Sequence, residues 1–238
     1  MAERILAVVR SAEPDTSRTV EGWDVRQIVV CRQDPIEVSA SDLEQALEGV
    51  QALAVTSPRA ALWLDGRPEA LLRNLPVLTA GERTASFLAG WNTFVPRQGV
   101  GGRAVADLAG SEGIRKLLFI GASETAGTLE EACRALGIEC PHLAVYKTGI
   151  VDAVGPDDLQ SLRQARACAF LAPSAVDALV RLRPDVVLDL AGRPAAASGT
   201  RTLETLRRWG WKDVREAQGP SLEELAAACE GLAAIGGD

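Results

Sequence analysis

The chain has 238 residues, of which 47% are hydrophobic and 24% charged, and its net charge at pH 7 is -7. This balance is typical of a globular protein and excludes a disordered or fibrous chain. The acidic net charge disfavours nonspecific binding to nucleic acid or membranes, because those surfaces require an excess of Lys and Arg. The early apolar run at 5–9 is too short for a signal peptide or a membrane span, so we expect a cytoplasmic protein.

Short apolar runs alternate along the chain with longer segments of helical periodicity. This alternation predicts an α/β protein with parallel sheets flanked by helices. The predicted strands, in chain order, are 5–9, 27–31, 52–55, 77–80, 93–95, 117–121, 143–146, 168–171, 186–190 and 213–216. Helices are predicted at 41–47, 84–89, 125–136, 156–166, 202–208 and 221–229. Ser41 with Glu44 and Ser221 with Glu224 match the capping-box pattern at a helix start.

An internal repeat indicates that the chain holds two copies of one unit. The segment GERTASFLAGW at 81–91 recurs as GTRTLETLRRW at 199–209, and ALAVTSPRAA at 52–61 resembles ACAFLAPSAV at 167–176. Two similar lobes create a cleft, and clefts between domains commonly bind small ligands. Sequence order alone favours a single boundary near 110–113.

Few of the common catalytic or cofactor motifs are present. The chain has one histidine, His142, which restricts Ser-His-Asp and Cys-His catalysis and excludes histidine-rich metal sites. Five scattered cysteines without a CxxC argue against a disulfide framework or a zinc site. The run GVGGRA at 99–104 loosely matches a dinucleotide fingerprint, but a loop leading into a helix around Val105 is favoured. We expect no cofactor and no metal.

Small hydroxyl residues and glycines recur where predicted strands lead into helices. At these positions a ligand carboxylate can meet the free N–H groups of a helix start, although each Ser or Thr could instead be only a helix cap. Arginines in the same loops could add positive charge: Arg10, Arg59, Arg83, Arg97, Arg103 and Arg201. The single tyrosine, Tyr146, lies at a strand end and is either a buried residue with a satisfied hydroxyl or a proton donor.

The order and spacing of several motifs resemble the uroporphyrinogen-III synthase family. These motifs are the first strand ending at Arg10, VTSPRA at 55–60, the turn at 81–84, LLFIGA at 117–122, AVYKT at 144–148, APSAV at 172–176, GTRT at 199–202 and GPSLEEL at 219–225. The resemblance implies two interleaved lobes, one formed by 1–33 with 151–238 and the other by 36–147. A two-stranded linker near 34–37 and 147–151 would join them, with the active-site cleft between the lobes. This replaces the single boundary near 110–113.

The resemblance also implies an activity and a set of site residues. Such an enzyme closes linear hydroxymethylbilane with inversion of its last pyrrole ring, a step of haem biosynthesis, without a cofactor. Tyr146 would assist the leaving hydroxyl and Thr202 would face the cleft. Substrate-binding residues would be Arg10, Thr56, Ser57, Gly81, Thr84, Ser123, Ser174 and Gly199.

The chain departs from the family pattern at Leu171-Ala172 and at Arg201, where small hydroxyl residues are frequent. These departures affect side-chain contacts to carboxylates but leave backbone donors in place. One alternative is a non-catalytic bilobal binding or sensing protein related to the family. A nucleotide-dependent oxidoreductase, based on 99–104, is a weaker third hypothesis. The expected partner is a linear tetrapyrrole substrate, without nucleic acid or membrane, and we expect a monomer.

Overall fold

The structure is a computed structural model that describes residues 4–11, 19–67, 70–99, 101–125, 127–219 and 221–233. Its strands are β1 (Arg4–Arg10), β2 (Thr19–Val20), β3 (Trp23–Val29), β4 (Cys31–Pro35), β5 (Ala52–Val55), β6 (Val77–Thr79), β7 (Thr93–Phe94), β8 (Leu117–Ala122), β9 (His142–Ile150), β10 (Ala167–Phe170), β11 (Ala195–Ala197) and β12 (Val214–Glu216). Its helices are α1 (Ala40–Leu47), α2 (Pro58–Asp65), α3 (Ala70–Arg73), α4 (Glu82–Ala85), α5 (Gly101–Ser111), α6 (Thr128–Ala135), α7 (Pro156–Gln164), α8 (Pro173–Leu182), α9 (Pro184–Leu190), α10 (Thr200–Arg208) and α11 (Leu222–Ala233).

The chain divides into two compact units. The first unit contains the described residues up to Gln33 together with those from Gly149 onward, and the second unit runs from Asp34 to Thr148. Strands β4 and β9 each cross a point of division. The position 110–113, where sequence order alone favours a boundary, lies at the end of α5 inside the second unit.

Each unit is built on a six-stranded, mostly parallel sheet. The first sheet has the order β12-β11-β10-β1-β3-β2, and the second has the order β7-β6-β5-β8-β9-β4. In the first sheet only β2 is shown to run antiparallel to its neighbour. The two orders match strand for strand, although β1 and β3 open the first unit whereas their counterparts β8 and β9 close the second. The fold class predicted from sequence, parallel sheets with helices around them, is confirmed.

Both faces of each sheet are covered, which is why most of these strands are continuous apolar runs. In β1, Ala7 and Val9 pack on one face and Leu6 and Val8 on the other. In β5 the same alternation separates Leu53 and Val55 from Ala52 and Ala54. The sheets are therefore buried layers between helices in both units.

The repeated sequence motif adopts the same local structure in each unit. Gly81 and Gly199 are the N-cap residues of α4 and α10, both with extended backbone at φ 169° and 174°. Ten residues later, the indole N–H of Trp91 donates to Asp65 at 2.9 Å and that of Trp209 donates to Asp177 at 2.7 Å. An arginine lies over each indole ring: Arg73 over Trp91 and Arg208 over Trp209.

One predicted strand is wrong and one short strand was missed, and both errors come from composition. Residues 186–190 form helix α9 instead of a strand, because Pro184 opens a helix in which Val186, Val187 and Leu190 face the core while Leu188 is 80% exposed. Strand β11 was not predicted because its three residues are alanines, which have low strand propensity. They are fully buried between β10 and β12, so tertiary packing decides their conformation.

Two smaller corrections concern helix starts and a strand boundary. Helix α1 is capped by Ser39, whose hydroxyl accepts from the Asp42 N–H, and not by Ser41. The capping box of Ser221 and Glu224 is confirmed, since each side chain accepts a hydrogen bond from the backbone N–H of the other. The predicted strand at 27–31 is divided between β3 and β4.

Candidate active site

Each sheet has a topological switch point, where two neighbouring strands are followed along the chain by strands added on opposite sides. Ligands of such folds bind beyond the carboxyl ends of the two strands. In the first unit the two strands are β1 and β10, which end at Arg10 and Phe170. In the second unit they are β8 and β5, which end at Ala122 and Val55. Most of the predicted site residues follow these four strand ends or the ends of the adjoining strands.

Tyr146 is held by two neighbours in the second unit. It is 6% exposed, and its phenol donates a hydrogen bond to Ser57 Oγ at 3.0 Å. Its carbonyl accepts from the Ser123 N–H at 2.8 Å. Ser57 is also the N-cap of α2, because its Oγ accepts from the Ala60 N–H at 3.2 Å. The structure therefore brings together Tyr146, Ser57 and Ser123.

A cavity of about 210 Å³ opens beside Tyr146. Thr56 and Tyr146 line it, together with Gly102 at the start of α5 and the acidic residues Glu124 and Glu130. The cavity is thus a small, partly polar space within the second unit, with Tyr146 in its wall. The carboxylate of Glu130 also accepts a hydrogen bond from the Thr125 hydroxyl at 2.7 Å.

Gly81 and Thr84 lie at the start of α4, one strand further along the sheet. The Gly81 carbonyl accepts from the N–H groups of Thr84 and Ala85. Thr84 is 5% exposed, and within the described part of the chain its hydroxyl has no hydrogen-bond partner. No hydrogen bond in the described residues joins Gly81 or Thr84 to Tyr146.

In the first unit, Arg10 is buried at the end of β1. It is 7% exposed, and its guanidinium donates to the side chain of Gln27 on β3. A buried arginine is a charged group that needs polar partners, so the Gln27 contact fixes the direction of its side chain. Arg10 therefore lies at the strand reversal, beside the connection that follows β10.

Thr202 is the counterpart of Thr84 in the first unit. It is 3% exposed and lies in the first turn of α10, which begins after Gly199. Its hydroxyl also lacks a partner in the described residues. Among the described residues, Trp211 Nε1 is the one fully buried side-chain polar atom without a hydrogen-bond partner. The hydroxyls of Thr84 and Thr202 also lack a partner in this part of the chain, so they are not fully buried and solvent reaches them.

Ser174 lies at the helix start that follows β10. It is exposed in the first turn of α8, and its carbonyl accepts a weak hydrogen bond from the Cys31 thiol at 3.8 Å. The N-cap of α8 is Ala172, which has no side-chain cap, whereas its counterpart Ser57 caps α2. The sequence departure at Leu171-Ala172 thus leaves the N–H groups at this helix start without a side-chain acceptor.

Two contacts at the start of α10 were not predicted from sequence. The Ser198 hydroxyl donates to the Leu171 carbonyl at 2.8 Å and so ties the loop after β10 to the loop after β11. The Thr200 hydroxyl donates to the Glu216 carboxylate of β12 at 3.1 Å. Ser198 and Thr200 flank the repeated glycine, which is a usable signal, but nothing in the sequence indicates that Glu216 is the neighbour of Thr200.

Three exposed arginines near these loops form no ion pair within the residues that the structure describes. Arg201 is in the first turn of α10, Arg103 is in the first turn of α5, and Arg97 precedes α5. Arg59 and Arg83 each have a partner. Free guanidinium groups bind carboxylates strongly, because they offer paired N–H donors and a fixed charge.

The glycine-rich run at 99–104 has a packing role in the structure. A Cβ at Gly102 would lie 2.8 Å from the Leu129 backbone nitrogen, so glycine permits the close approach of α5 to α6. The helix predicted around Val105 is confirmed as α5. His142 opens β9 and stacks on Phe119, with ring centroids 4.9 Å apart.

Two further features are absent from the described residues. None of the described helices is long and apolar enough to cross a bilayer. Those residues also contain no cluster of three or more His, Cys, Asp or Glu that could hold a metal ion.

Comparison with known proteins identifies one family. The model of the uroporphyrinogen-III synthase family HemD matches residues 21–227. The fold resembles uroporphyrinogen-III synthetase from Helicobacter pylori 26695, at a TM-score of 0.65 and 19% identity, covering 98% of this chain and 99% of the other. It also resembles a mutant uroporphyrinogen III synthase from the extremely thermophilic bacterium Thermus thermophilus, at a TM-score of 0.53 and 17% identity, covering 97% and 98%. Comparison with individual curated proteins gives no match.

Proposed function

The chain belongs to the uroporphyrinogen-III synthase family, and we propose that it performs the family reaction with Tyr146 as the group that assists the departing hydroxyl. The enzyme closes hydroxymethylbilane into uroporphyrinogen III with inversion of the last pyrrole ring. The family match over 21–227 is the observation that supports this activity. The arrangement around Tyr146 supports the assignment of its role.

The paired hydroxyls of Tyr146 and Ser57 suit the first chemical step. In that step the bond between the terminal carbon and its hydroxyl breaks, the pyrrole nitrogen supplies the electron pair, and an azafulvene cation forms. The Tyr146 phenol can donate its proton to the leaving oxygen, which then departs as water. Ser57 can turn its own O–H toward the phenolic oxygen as negative charge develops there, because a serine hydroxyl both donates and accepts.

The acidic lining of the cavity beside Tyr146 suits the cation more than a carboxylate. Glu124 and Glu130 line the same cavity as Tyr146. A nearby carboxylate stabilises developing positive charge, especially where water is restricted, but repels a substrate carboxylate. We therefore place the reacting pyrrole, and not an acetate or propionate group, at this cavity.

The carboxylates of the substrate would then be held at the helix starts and by the free arginines. In the first unit the groups that hold carboxylates are the N–H groups around Gly199 and the guanidinium of Arg201. The same proposed binding set includes Arg10, Ser174 and Thr202. In the second unit they are the N–H groups around Gly81, with Thr84 and Arg103, whereas Thr56 lines the cavity proposed for the pyrrole. Both units carry such positions because both derive from one repeated motif.

The lobe organisation, location and association state belong to the same proposal. The residues near 34–37 and 147–151 would act as the linker that joins lobe 1–33 with 151–238 to lobe 36–147. Strands β4 and β9, which cross the division between units, are the elements that support this organisation. A cytoplasmic location and a monomeric state are part of this proposal.

The isomer of the product tests the proposed function directly. Freshly made hydroxymethylbilane closes spontaneously to the I isomer, so an active enzyme is recognised by formation of the III isomer. Tyr146→Phe should slow III formation while the variant stays folded, because the phenyl ring keeps its packing. Formation of the I isomer alone by the wild-type chain would instead support the non-catalytic binding protein, and a normal rate in Tyr146→Phe would remove the role of the phenol.

A further inference from the structure

A second cavity in the second unit also has Tyr146 in its wall. It has a volume of about 230 Å³ and lies between helix α2 and the strands β4 and β9, lined by Pro35, Arg59, Leu62, Trp63, Val145 and Tyr146. The first cavity lies toward α5 and α6, because Gly102 and Leu129 line it. We call the second space the Trp63 cavity. Tyr146 therefore borders two cavities whose other lining residues are different.

The Trp63 cavity combines apolar walls with a single cation. Leu62 is 49% exposed, which leaves a large apolar side chain at its rim. Among the described residues that line the cavity, Arg59 is the one charged group. Its guanidinium has another partner in the protein, but five N–H donors allow it to bind a ligand carboxylate as well. This lining suits a flat apolar ring that carries a carboxylate, because such a ring packs well against an indole.

Contacts outside the Trp63 cavity hold its walls in place. Its three residues on α2 lie on one face of that helix, about one turn apart. The Arg67 guanidinium lies over the Trp63 ring, 4.3 Å from the ring centroid, and so restrains the indole. The Ile36 N–H donates to the Val145 carbonyl at 2.9 Å and ties the chain after β4 to β9. These contacts fix the shape of the cavity.

The first unit shows that the fold itself does not require this lining. Helix α8 is the counterpart of α2 in the sequence repeat, and it follows β10 as α2 follows β5. The three cavity residues on α2 correspond there to Ser174, Asp177 and Ala178. Asp177 has a packing role, because it accepts from the Trp209 indole N–H at 2.7 Å. The cation and the indole are therefore a property of the second unit alone, and packing of the shared helix does not account for them.

We propose that the Trp63 cavity binds the last pyrrole ring of the substrate, the ring that inverts, with one of its carboxylates on Arg59. The inference rests on the proposed function, in which the first cavity holds the pyrrole that loses its hydroxyl. A volume of about 230 Å³ suits one ring, since pockets for drug-sized ligands measure about 300–1,000 Å³.

The chemistry of ring closure requires two pyrroles on either side of one point. The substituted carbon of the last ring supplies an electron pair for a new C–C bond to the azafulvene carbon. Positive charge passes to the attacking ring, and no atom leaves in this step. Tyr146 borders one cavity for each of the two rings. The first cavity has acidic residues in its wall and the second has a cation, so their charges direct the substrate carboxylates to the second.

A monopyrrole that carries one acetate and one propionate group tests the Trp63 cavity without turnover. It is added at millimolar concentration to ¹⁵N-labelled protein, and the Trp63 indole signal is identified by its loss in Trp63→Phe. We expect shifts at Trp63 and along the first turns of α2. Arg59→Gln should weaken binding about ten-fold, because a paired contact between guanidinium and carboxylate is lost. Arg115→Gln, a control at an exposed arginine before β8, should bind as the wild type does.

A second pair of variants tests the apolar rim. Leu62→Glu places a carboxylate at the Trp63 cavity and should weaken binding of the monopyrrole through repulsion. Leu136→Glu introduces the same charge at a leucine of similar exposure, 44% against 49%, outside the cavity, and should leave binding unchanged. Circular dichroism should show that all of these variants are folded.

The synthase assay connects the cavity to the substrate. The monopyrrole should compete with hydroxymethylbilane in formation of the III isomer, and this inhibition should weaken in Arg59→Gln. The inference is overturned if an active chain shows no shift at α2, equal shifts in Arg59→Gln and Leu62→Glu, or no competition. Binding at the Trp63 cavity by a chain that forms no III isomer would refute the proposed function while supporting the class of ligand assigned to the cavity.

Discussion

Removal of the Ser57 hydroxyl would test whether one side chain both starts α2 and holds Tyr146. Ser57 Oγ accepts from the Ala60 N–H at 3.2 Å and from the Tyr146 phenol at 3.0 Å. Loss of an N-cap costs about 1 kcal/mol. A phenol left buried without a partner costs about 1–3 kcal/mol more. We therefore expect Ser57→Ala to lower the free energy of unfolding by about 2–4 kcal/mol.

A double-mutant cycle separates the two contributions. Tyr146→Phe removes the phenol but leaves the cap, and should cost about 1 kcal/mol. The double variant has no phenol to leave unpaired, so its loss should be smaller than the sum of the single losses by about 1–3 kcal/mol.

Urea unfolding followed by circular dichroism measures each variant, and hydrogen exchange in the first turn of α2 assigns the loss to the second unit. Single losses that add to the double loss within about 0.5 kcal/mol would show that Ser57 and Tyr146 do not support each other, and the reasoning would fail.

Three further predictions follow from individual contacts. Thr202→Val should reduce formation of the III isomer without changing the midpoint of urea unfolding, because the hydroxyl has no partner in the described residues. A shift of the unfolding midpoint with an unchanged rate of III formation would show that Thr202 has a structural role. Gly102→Ala should destabilise the protein by about 1–3 kcal/mol, because the new Cβ would lie 2.8 Å from the Leu129 nitrogen. Gly110→Ala in the same helix should instead stabilise the protein, because its Cβ meets only the Leu136 side chain at 3.5 Å. Equal thermal midpoints for the two variants would contradict this. Trp91→Phe should lower the thermal midpoint more than Trp209→Phe, because Trp91 is 7% exposed and Trp209 43% exposed, and the reverse order would count against burial as the cause.

The elements that could be predicted are those whose residues are buried on both faces or capped by their own side chains. Strand β5 was predicted with its observed bounds because all four of its residues are apolar and buried. Helix α11 was predicted from the capping box at Ser221, which acts over three residues. Strand β11 and helix α9 could not be predicted, because alanines and short valine runs accept either structure and distant neighbours decide between them.

The candidate site divides in the same way. The repeated Gly-x-Arg-Thr motif marks two helix starts because it is a local pattern, and the structure gives both copies the same backbone and a buried threonine. The pairing of Tyr146 with Ser57 spans 89 positions of sequence, and no local pattern connects them. The same holds for Thr200 with Glu216, which meet because β11 and β12 are neighbours.

The sequence by itself determined that this protein is an α/β chain with a duplicated motif and a family resemblance, because apolar periodicity and short motifs depend on adjacent residues. Only the tertiary structure decided that the two sheets have matching strand orders reached by different chain orders, and that the Tyr146 phenol donates a hydrogen bond to Ser57. Those facts depend on which strands lie side by side, and that is set by how each unit buries both faces of its sheet.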